Sequence, residues 1–565
     1  MPTVYVNDVP VEIGTRKLNC VQAAELAATH VPHYCYHPAL TVVASCRMCM
    51  IEMGELKDGK VTMIPKVFPG CQTPVKDGTV IVTGDYDKKK HNHPALAYDA
   101  AYKPGDRAKK SQADTLEGLL LNHPLDCPVC DKAGECKLQD YSYEYGRSES
   151  RMIDEKNRPA NKPELSSKIT LFTDRCILCT RCVRFTREIS GTSELQVSGR
   201  GHHEEIDVFP GYPLENKLSG NVVDLCPVGA LGSKDFLYTQ RVWYLKTTDN
   251  VCAGCSTGCS THTDTNKDIV YRLRPREDLD NQGYFMCDEG RWGYHYTHSP
   301  ERFHKPLVKT DMGLRPATWQ DLSTKLKKDF DDAVYVTARK AVAVLSPFLT
   351  VEEAYAFAAA FKKSNKDLRL VLGPVPVVGE DDKYPKNVRG ESVEPVKFMI
   401  SAEKCPNRQG VEAVLKHFQG DVIPFASVVS QELHSMWFAG GYTNPEWVNA
   451  AIPANFTAPK YLAVMDLFPS KLSALATVVV PATSVFEKSG TFVNHAGLVQ
   501  SFGRAVKPGV EIRGELQIAF DLFGKKGLAT NAAVRKDLSK DMPRFAGLAV
   551  EQPATFGKRL ELATV

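Results

Sequence analysis

Fifteen of the seventeen cysteines in this 565-residue chain lie between Cys35 and Cys287, in tight groups, and only Cys20 and Cys405 stand apart. The opening MPTVYVNDVPVEIG has no basic stretch followed by an apolar one, so no secretory signal is expected. An odd thiol count without an export signal argues against a disulfide framework. Grouped thiols in a reducing compartment point to metal instead. No run of about 18 apolar residues occurs, so no transmembrane helix is expected and membrane association would come only through partners. Lys plus Arg is 70 against 67 Asp plus Glu, a net charge of +3, which gives no support to nucleic-acid binding.

At roughly 150 residues per domain the length predicts three to five domains. Thr3–Val6 and Val9–Ile13 read as strands of a hairpin turning at Asn7-Asp8, Cys20–Ala28 as a helix, and Met48–Met53 and Thr79–Val82 as later strands. That succession predicts a β-grasp ferredoxin domain over 1–84. Residues 85–110 read as a polar, basic connection, Asp114–Leu121 as a helix and 145–166 as a polar linker. A helical cysteine region thus spans 85–150, a second compact one 166–240 and a third 245–300. From 301 to 565, strand-like runs (Ala341–Leu345, Leu368–Leu372, Tyr461–Leu467) alternate with helices (Val351–Lys363, Gly410–Phe418), the pattern of an α/β domain with a largely parallel sheet. The fold class is therefore multidomain, mixing α+β and α/β.

The cysteines form four constellations. Cys35, Cys46, Cys49 and Cys71 are spaced C-x10-C-x2-C-x21-C. Several thiolates converging from a wrapping loop of a β-grasp domain suit a [2Fe–2S] cluster, although C-x2-C alone also suits zinc. His123, Cys127, Cys130 and Cys136 form H-x3-C-x2-C-x5-C, which fits closed tetrahedral zinc or a [4Fe–4S] cluster with one histidine ligand. Cys176, Cys179 and Cys182 are the C-x2-C-x2-C run of bacterial ferredoxins, with Cys226-Pro227 as the remote fourth ligand, and this predicts [4Fe–4S]. Cys252, Cys255, Cys259 and Cys287 again combine three clustered thiolates with one remote, the pattern that heads many molybdopterin oxidoreductases and binds [4Fe–4S] there; zinc is the alternative.

HPLDCPVCDKAGECKLQD (123–140), DRCILCTRCVRF (174–185) and DLCPVGAL (224–231), together with the order of the four constellations, closely resemble the large iron–sulfur subunit of respiratory complex I. VVVPATSVFEKSGTFVNHAGLVQ (478–500) resembles that family's molybdopterin-oxidoreductase-like domain, so the resemblance covers essentially the whole chain. It implies one [2Fe–2S] and three [4Fe–4S] clusters in a subunit of a proton-translocating NADH–quinone oxidoreductase. Electrons would arrive from a flavin- and NADH-binding partner subunit. They would pass the Cys35, Cys176 and His123 sites in turn and leave through a further iron–sulfur subunit toward quinone. The Cys252 site would lie off this path, and its retention favours a bacterial source, with the chain peripheral on the cytoplasmic side of the inner membrane. The C-terminal region departs from a working molybdenum domain: it is short, and its one cysteine, Cys405, sits in a polar loop with nothing to mark it as a ligand. A degenerate domain without molybdopterin is expected.

With no G-x-G-x-x-G and no G-x-x-x-x-G-K-[ST], the chain is expected to bind no nucleotide, and no catalytic residue is assigned. Two other functions remain in view. One is the electron-transfer subunit of a soluble NAD-linked hydrogenase or formate dehydrogenase; the other, of a different class, is a zinc-stabilised scaffold. His202-His203 reads as a solvated polar turn, Lys88–Lys90 with His91 and His93 as an exposed basic face, and Cys20 as a small core residue.

Overall fold

A computed structural model describes residues 1–91, 93, 96–322, 328, 332, 340–522, 527–549 and 558–559. The rest of the 85–150 and 301–565 segments lies outside the described residues. The chain divides into two compact units, one of residues 1–244 with 385–393, the other of 245–384 with 394–565.

The first unit begins with a five-stranded sheet in the order Val9–Glu12, Thr3–Val6, Thr79–Val82, Met50–Lys57, Lys60–Pro69. The first two strands are an antiparallel hairpin whose turn residues Asn7 and Asp8 both take positive φ (45° and 66°), as a two-residue hairpin turn requires. Thr3–Val6 then pairs in parallel with Thr79–Val82, which closes the β-grasp order. The helix Cys20–Leu26 starts at a capping box, in which Asn19 and Gln22 exchange side-chain and backbone hydrogen bonds. Its buried Cys20, Val21, Ala23 and Ala24 lie on the sheet's apolar face with Val4, Val6 and Ile51.

Two expectations need correction. The strand Lys60–Pro69 was not anticipated, because lysines and Pro65 obscure its alternation. It is an edge strand, where a proline deprives no neighbour of a hydrogen bond, and its pairing skips a register between Glu52 and Gly54. The helix expected from Asp114 begins at Asp106, inside the stretch read as a connection. Its N-terminus is capped from the sheet: buried Glu52 accepts the N–H groups of Arg107 (2.9 Å) and Ala108 (3.1 Å) and the hydroxyl of Tyr102. That cap comes from more than fifty residues away, and no local pattern announces it.

The remainder of this unit is loop-rich. Ile169–Leu171 pairs with Leu231–Ser233, which brings the segment before Cys176 beside the segment after Cys226. Short helices Arg181–Glu188 and Asn221–Leu225 lie between them.

The second unit opens with a three-stranded antiparallel sheet, Lys246–Val251, Ser260–Asn266 and Ile269–Pro275. An eight-stranded sheet follows. Its parallel part runs Ile423–Pro424, Arg369–Leu372, Ala341–Leu345, Ser435–Ala439, Tyr461–Asp466, Val478–Pro481, with Leu307–Thr310 and Gly313–Pro316 added antiparallel at one edge. Numbered along the chain, the parallel strands stand in the doubly wound order 3-2-1-4-5-6. Ala341–Leu345 and Ser435–Ala439 are buried along their whole length, as a sheet covered on both faces requires. Helices Val351–Ser364 and Arg408–Gln419 pack on it, the first started by a Thr350/Glu353 capping box. Cys405, read from sequence as part of a polar loop, is fully buried among Phe348, Phe425, Phe438 and Tyr442.

Candidate metal centres

The members of each of the four constellations lie near one another, although among the described residues no three of them close tightly enough to hold a single metal ion. In the first, the thiol of Cys35 lies beside those of Cys46 and Cys71, and that of Cys71 beside Cys49. The backbone N–H of Cys35 also points at Cys46 Sγ (3.4 Å). Ala44 and Arg47 flank Cys46 with positive φ (51° and 57°), so the loop curls tightly around the sulfurs. Cys35, Cys49 and Cys71 are fully buried and Cys46 is half-buried.

His123, Cys127, Cys130 and Cys136 line one cavity that opens to solvent. Burial pushes Cys136 up to about 11 and raises Cys130, while burial lowers His123, which therefore presents a neutral imidazole. His123 Nδ1 is buried with no hydrogen-bond partner. A buried imidazole nitrogen left without a partner in a thiol-lined cavity is the arrangement a metal-ligating histidine would have.

Cys176, Cys179, Cys182 and Cys226 all face one small cavity of about 20 Å³, otherwise walled by apolar side chains such as Leu171, Ile206, Val228 and Leu231. Leu178 and Thr180 adopt positive φ (50° and 57°) between the cysteines, and the N–H of Leu178 points at Cys176 Sγ (3.4 Å). Burial pushes Cys176 to about 12 and Cys179 to about 11. Four thiols walling one small apolar cavity, Cys179 and Cys226 among them buried, fit a group that binds thiolates and brings its own positive charge, because metal binding displaces thiol protons.

In the fourth set, Gly254 N–H points at Cys252 Sγ (3.5 Å) and Gly290 N–H at Cys287 Sγ (3.3 Å). Burial raises Cys252 to about 12 and lifts Cys259 and Cys287 well above the usual thiol range.

Sequence reasoning overlooked the glycines and cations that surround these thiols. A Cβ at Gly229 would lie 2.1 Å from Cys130 Sγ, so the loop after Cys226 reaches the second set only with glycine there. A Cβ at Gly290 would meet Cys252 Sγ at 2.9 Å and Cys287 Sγ at 3.5 Å. Arg181 and Arg184 are buried between sites, and burial, followed by the charge of Arg181, lowers Lys137 to about 8. The only local signal for the glycines was their place just after a ligand. His202 and His203 are exposed and Cys20 is buried, its thiol pushed to about 12, as expected; of the expected basic face Lys88–Lys90 are exposed, whereas His91 and His93 are half-buried beside Tyr86 and Tyr5.

Four family descriptions match along the chain. They are a 2Fe-2S iron-sulfur cluster binding domain over 3–86, the NADH-ubiquinone oxidoreductase-G iron-sulfur binding region over 112–151, the NADH-quinone oxidoreductase subunit 3 ferredoxin-like domain over 166–232, and molybdopterin oxidoreductase over 414–525. Fold and site together define an iron–sulfur protein, with [2Fe–2S]- and [4Fe–4S]-type modules followed by a molybdopterin-oxidoreductase-type domain.

Among curated relatives, the chain is 33% identical over 340 residues to the NADH-quinone oxidoreductase subunit designated G in Streptomyces coelicolor, covering 60% of this chain and 36% of that one. It is 32% identical over 345 residues to the same-named subunit of Rickettsia conorii (60% and 46%). It is 31% identical over 385 residues to the NADH-ubiquinone oxidoreductase 75 kDa subunit of Reclinomonas americana (68% and 51%). Over the aligned residues the chain is thus similar to subunits of NADH-quinone and NADH-ubiquinone oxidoreductases, and it spans about a third to a half of the length of these relatives. One chain of a crystal structure of NAD+-reducing [NiFe]-hydrogenase in the H2-reduced state also matches, at 22% identity and a TM-score of 0.33, over 42% of this chain and 90% of its own. Among the described residues no helix is long and apolar enough to cross a membrane.

Proposed function

We propose that this chain binds one [2Fe–2S] cluster at Cys35, Cys46, Cys49 and Cys71 and three [4Fe–4S] clusters. The four-iron sites are His123/Cys127/Cys130/Cys136, Cys176/Cys179/Cys182/Cys226 and Cys252/Cys255/Cys259/Cys287. It serves as an electron relay of an NADH–quinone oxidoreductase, between a flavin- and NADH-binding partner subunit and a further iron–sulfur subunit on the way to quinone. In a bacterial cell it would be peripheral, on the cytoplasmic face of the inner membrane, held there by other subunits. The observation that carries this reading is the gathering of Cys176, Cys179, Cys182 and Cys226 around one small apolar cavity, with a backbone N–H aimed at sulfur.

Bound clusters supply reversible one-electron storage. The chain's own residues hold the thiolates in fixed positions and donate N–H bonds to sulfur. Leu171, Ile206 and Leu231 keep water out of the third site. His123 presents a neutral imidazole where the other sites present a fourth thiolate, so its site carries one negative charge fewer. The C-terminal domain is read as a scaffold without pterin. At its topological switch point Tyr442 is fully buried, its hydroxyl donates to the Pro374 carbonyl (2.8 Å), and its ring lies 5.0 Å from that of Phe348.

The test is anaerobic purification followed by iron, acid-labile sulfide, zinc and molybdenum analysis. One two-iron and three four-iron clusters give about fourteen irons per chain, with no stoichiometric zinc or molybdenum. Around ten irons with one zinc would make one four-ligand site structural. Stoichiometric molybdenum would overturn the scaffold reading.

A further inference from the structure

Arg181 and Arg184 stand three apart on the helix Arg181–Glu188, so one helical face carries both guanidiniums, and both are buried. Arg184 Nη2 donates to the carbonyl oxygen of Cys35, and also to that of Cys179 (3.4 Å). Its Nη1 donates to the Thr41 carbonyl (2.5 Å). Arg181 Nη2 donates to the Tyr36 carbonyl and Nη1 to the Leu225 carbonyl (3.3 Å), one residue from Cys35 and one from Cys226 respectively. Each guanidinium therefore joins the backbone of the first thiol loop to that of the third.

Among the described residues, every hydrogen bond of these two guanidiniums ends on a backbone carbonyl oxygen. Arg181 is placed close enough to Arg184 and to Lys137 for their like charges to oppose its own. Buried cations that face one another across neutral carbonyls are costly unless an anionic group lies nearby. The groups placed to compensate them are the thiolates of the two sites they join.

We propose that Arg181 and Arg184 form a cationic bridge between the Cys35 and Cys176 sites, fixing the spacing of the two clusters and holding both at higher reduction potential. The inference rests on the cluster assignment above and goes beyond it, naming the residues that couple two of the sites. Both arginines are positioning residues. Reduction adds negative charge to a cluster, so a guanidinium between two clusters favours the reduced form of each, and its carbonyl bonds offer a short hydrogen-bonded route from a Cys35 ligand to a Cys179 ligand.

The test uses the full chain with its clusters, in the wild type and in Arg184→Gln and Arg184→Lys, with iron counted first and each cluster then titrated by EPR. With iron at the wild-type count, R184Q should lower the reduction equilibrium of the Cys35 and Cys176 clusters at least tenfold each, about 59 mV for one electron. The His123 and Cys252 clusters should keep their potentials, and R184K should restore most of the loss. Unchanged potentials in iron-replete R184Q overturn the proposal, as does an equal shift of all four clusters or an R184K that behaves like R184Q. If R184Q loses iron, R184K with full iron and near-wild-type potentials supports the bridge, and R184K that loses iron as well overturns it. A wild type without iron would instead overturn the cluster assignment.

Discussion

The two units bury charge in opposite ways. In the second, one set of buried charges closes on itself. Arg302 meets Glu487 (2.7 Å), Lys488 lies against Glu353 (3.0 Å) and Glu515 (3.5 Å), and Arg535 meets Glu352 (2.7 Å). Hydroxyls and amides complete the shell: Thr491 donates to Glu352 through both N–H and hydroxyl, and Ser484 N–H donates to Glu487. Three cations here face four carboxylates, and burial raises the Glu353 carboxyl to about 7, so the set is close to balanced within itself. In the first unit, Arg181 and Arg184 end on carbonyls, the His123 imidazole has a buried nitrogen without a partner, and four thiols wall a small cavity. A closed set of buried charges holds elements together, whereas an open set is arranged for a group of the missing charge.

That contrast is open to experiment, beginning with the largest effect. Glu487→Gln leaves Arg302 buried without its counter-charge, and breaking such a pair costs about 3–5 kcal/mol. Urea unfolding of the second unit should show that loss, and a cost under about 1 kcal/mol would mean that its ion pairs are not what closes it.

The second test turns on pH. Asp466 is fully buried, and burial raises its carboxyl to about 7 although its Oδ1 accepts the N–H groups of Gly441, Tyr442 and Leu467. A folded value above the unfolded one makes this group's contribution complete below about pH 4. It is lost as pH rises through about 7, at up to about 1.4 kcal/mol per pH unit. Asp466→Asn keeps the acceptor oxygen and abolishes the titration. Its stability relative to wild type should therefore rise between pH 4 and 7 and then level off. A constant difference would show that Asp466 titrates as an ordinary carboxyl.

The third bears on the open set. His123→Cys should keep the iron count and lower the potential of that cluster alone, since a thiolate adds a negative charge. An iron count reduced by four would show that the site requires imidazole. The smallest effect belongs to Tyr34, fully buried with a hydroxyl that has no hydrogen-bond partner. Tyr34→Phe removes an unsatisfied polar group and should change stability by less than about 1 kcal/mol, or increase it. A larger loss would mean that this hydroxyl serves the site.

Much of this was legible in the chain. The hairpin at Asn7-Asp8, the parallel sheet after residue 341 and the grouping of the cysteines along the chain follow from local rules: turn residues with positive φ, apolar alternation, and short cysteine spacings. The strand Lys60–Pro69 and the start of the helix at Asp106 were hidden, because an edge position and a cap from Glu52 decide them. Cys405 stands in a polar stretch of sequence and is nevertheless buried, because Phe348, Phe425 and Tyr442 come over it from other segments.

The sequence alone carried the grouping of the cysteines and the likeness to NADH-quinone oxidoreductase subunits, because residue type and short spacings survive folding unchanged. Only the tertiary structure decided which sets touch. The meeting of Arg184 with Cys35, of Gly229 with Cys130 and of Tyr442 with Gly373 depends on segments tens to more than a hundred residues apart. Their contact is set by how the sheets and helices between them pack, and no local pattern encodes it.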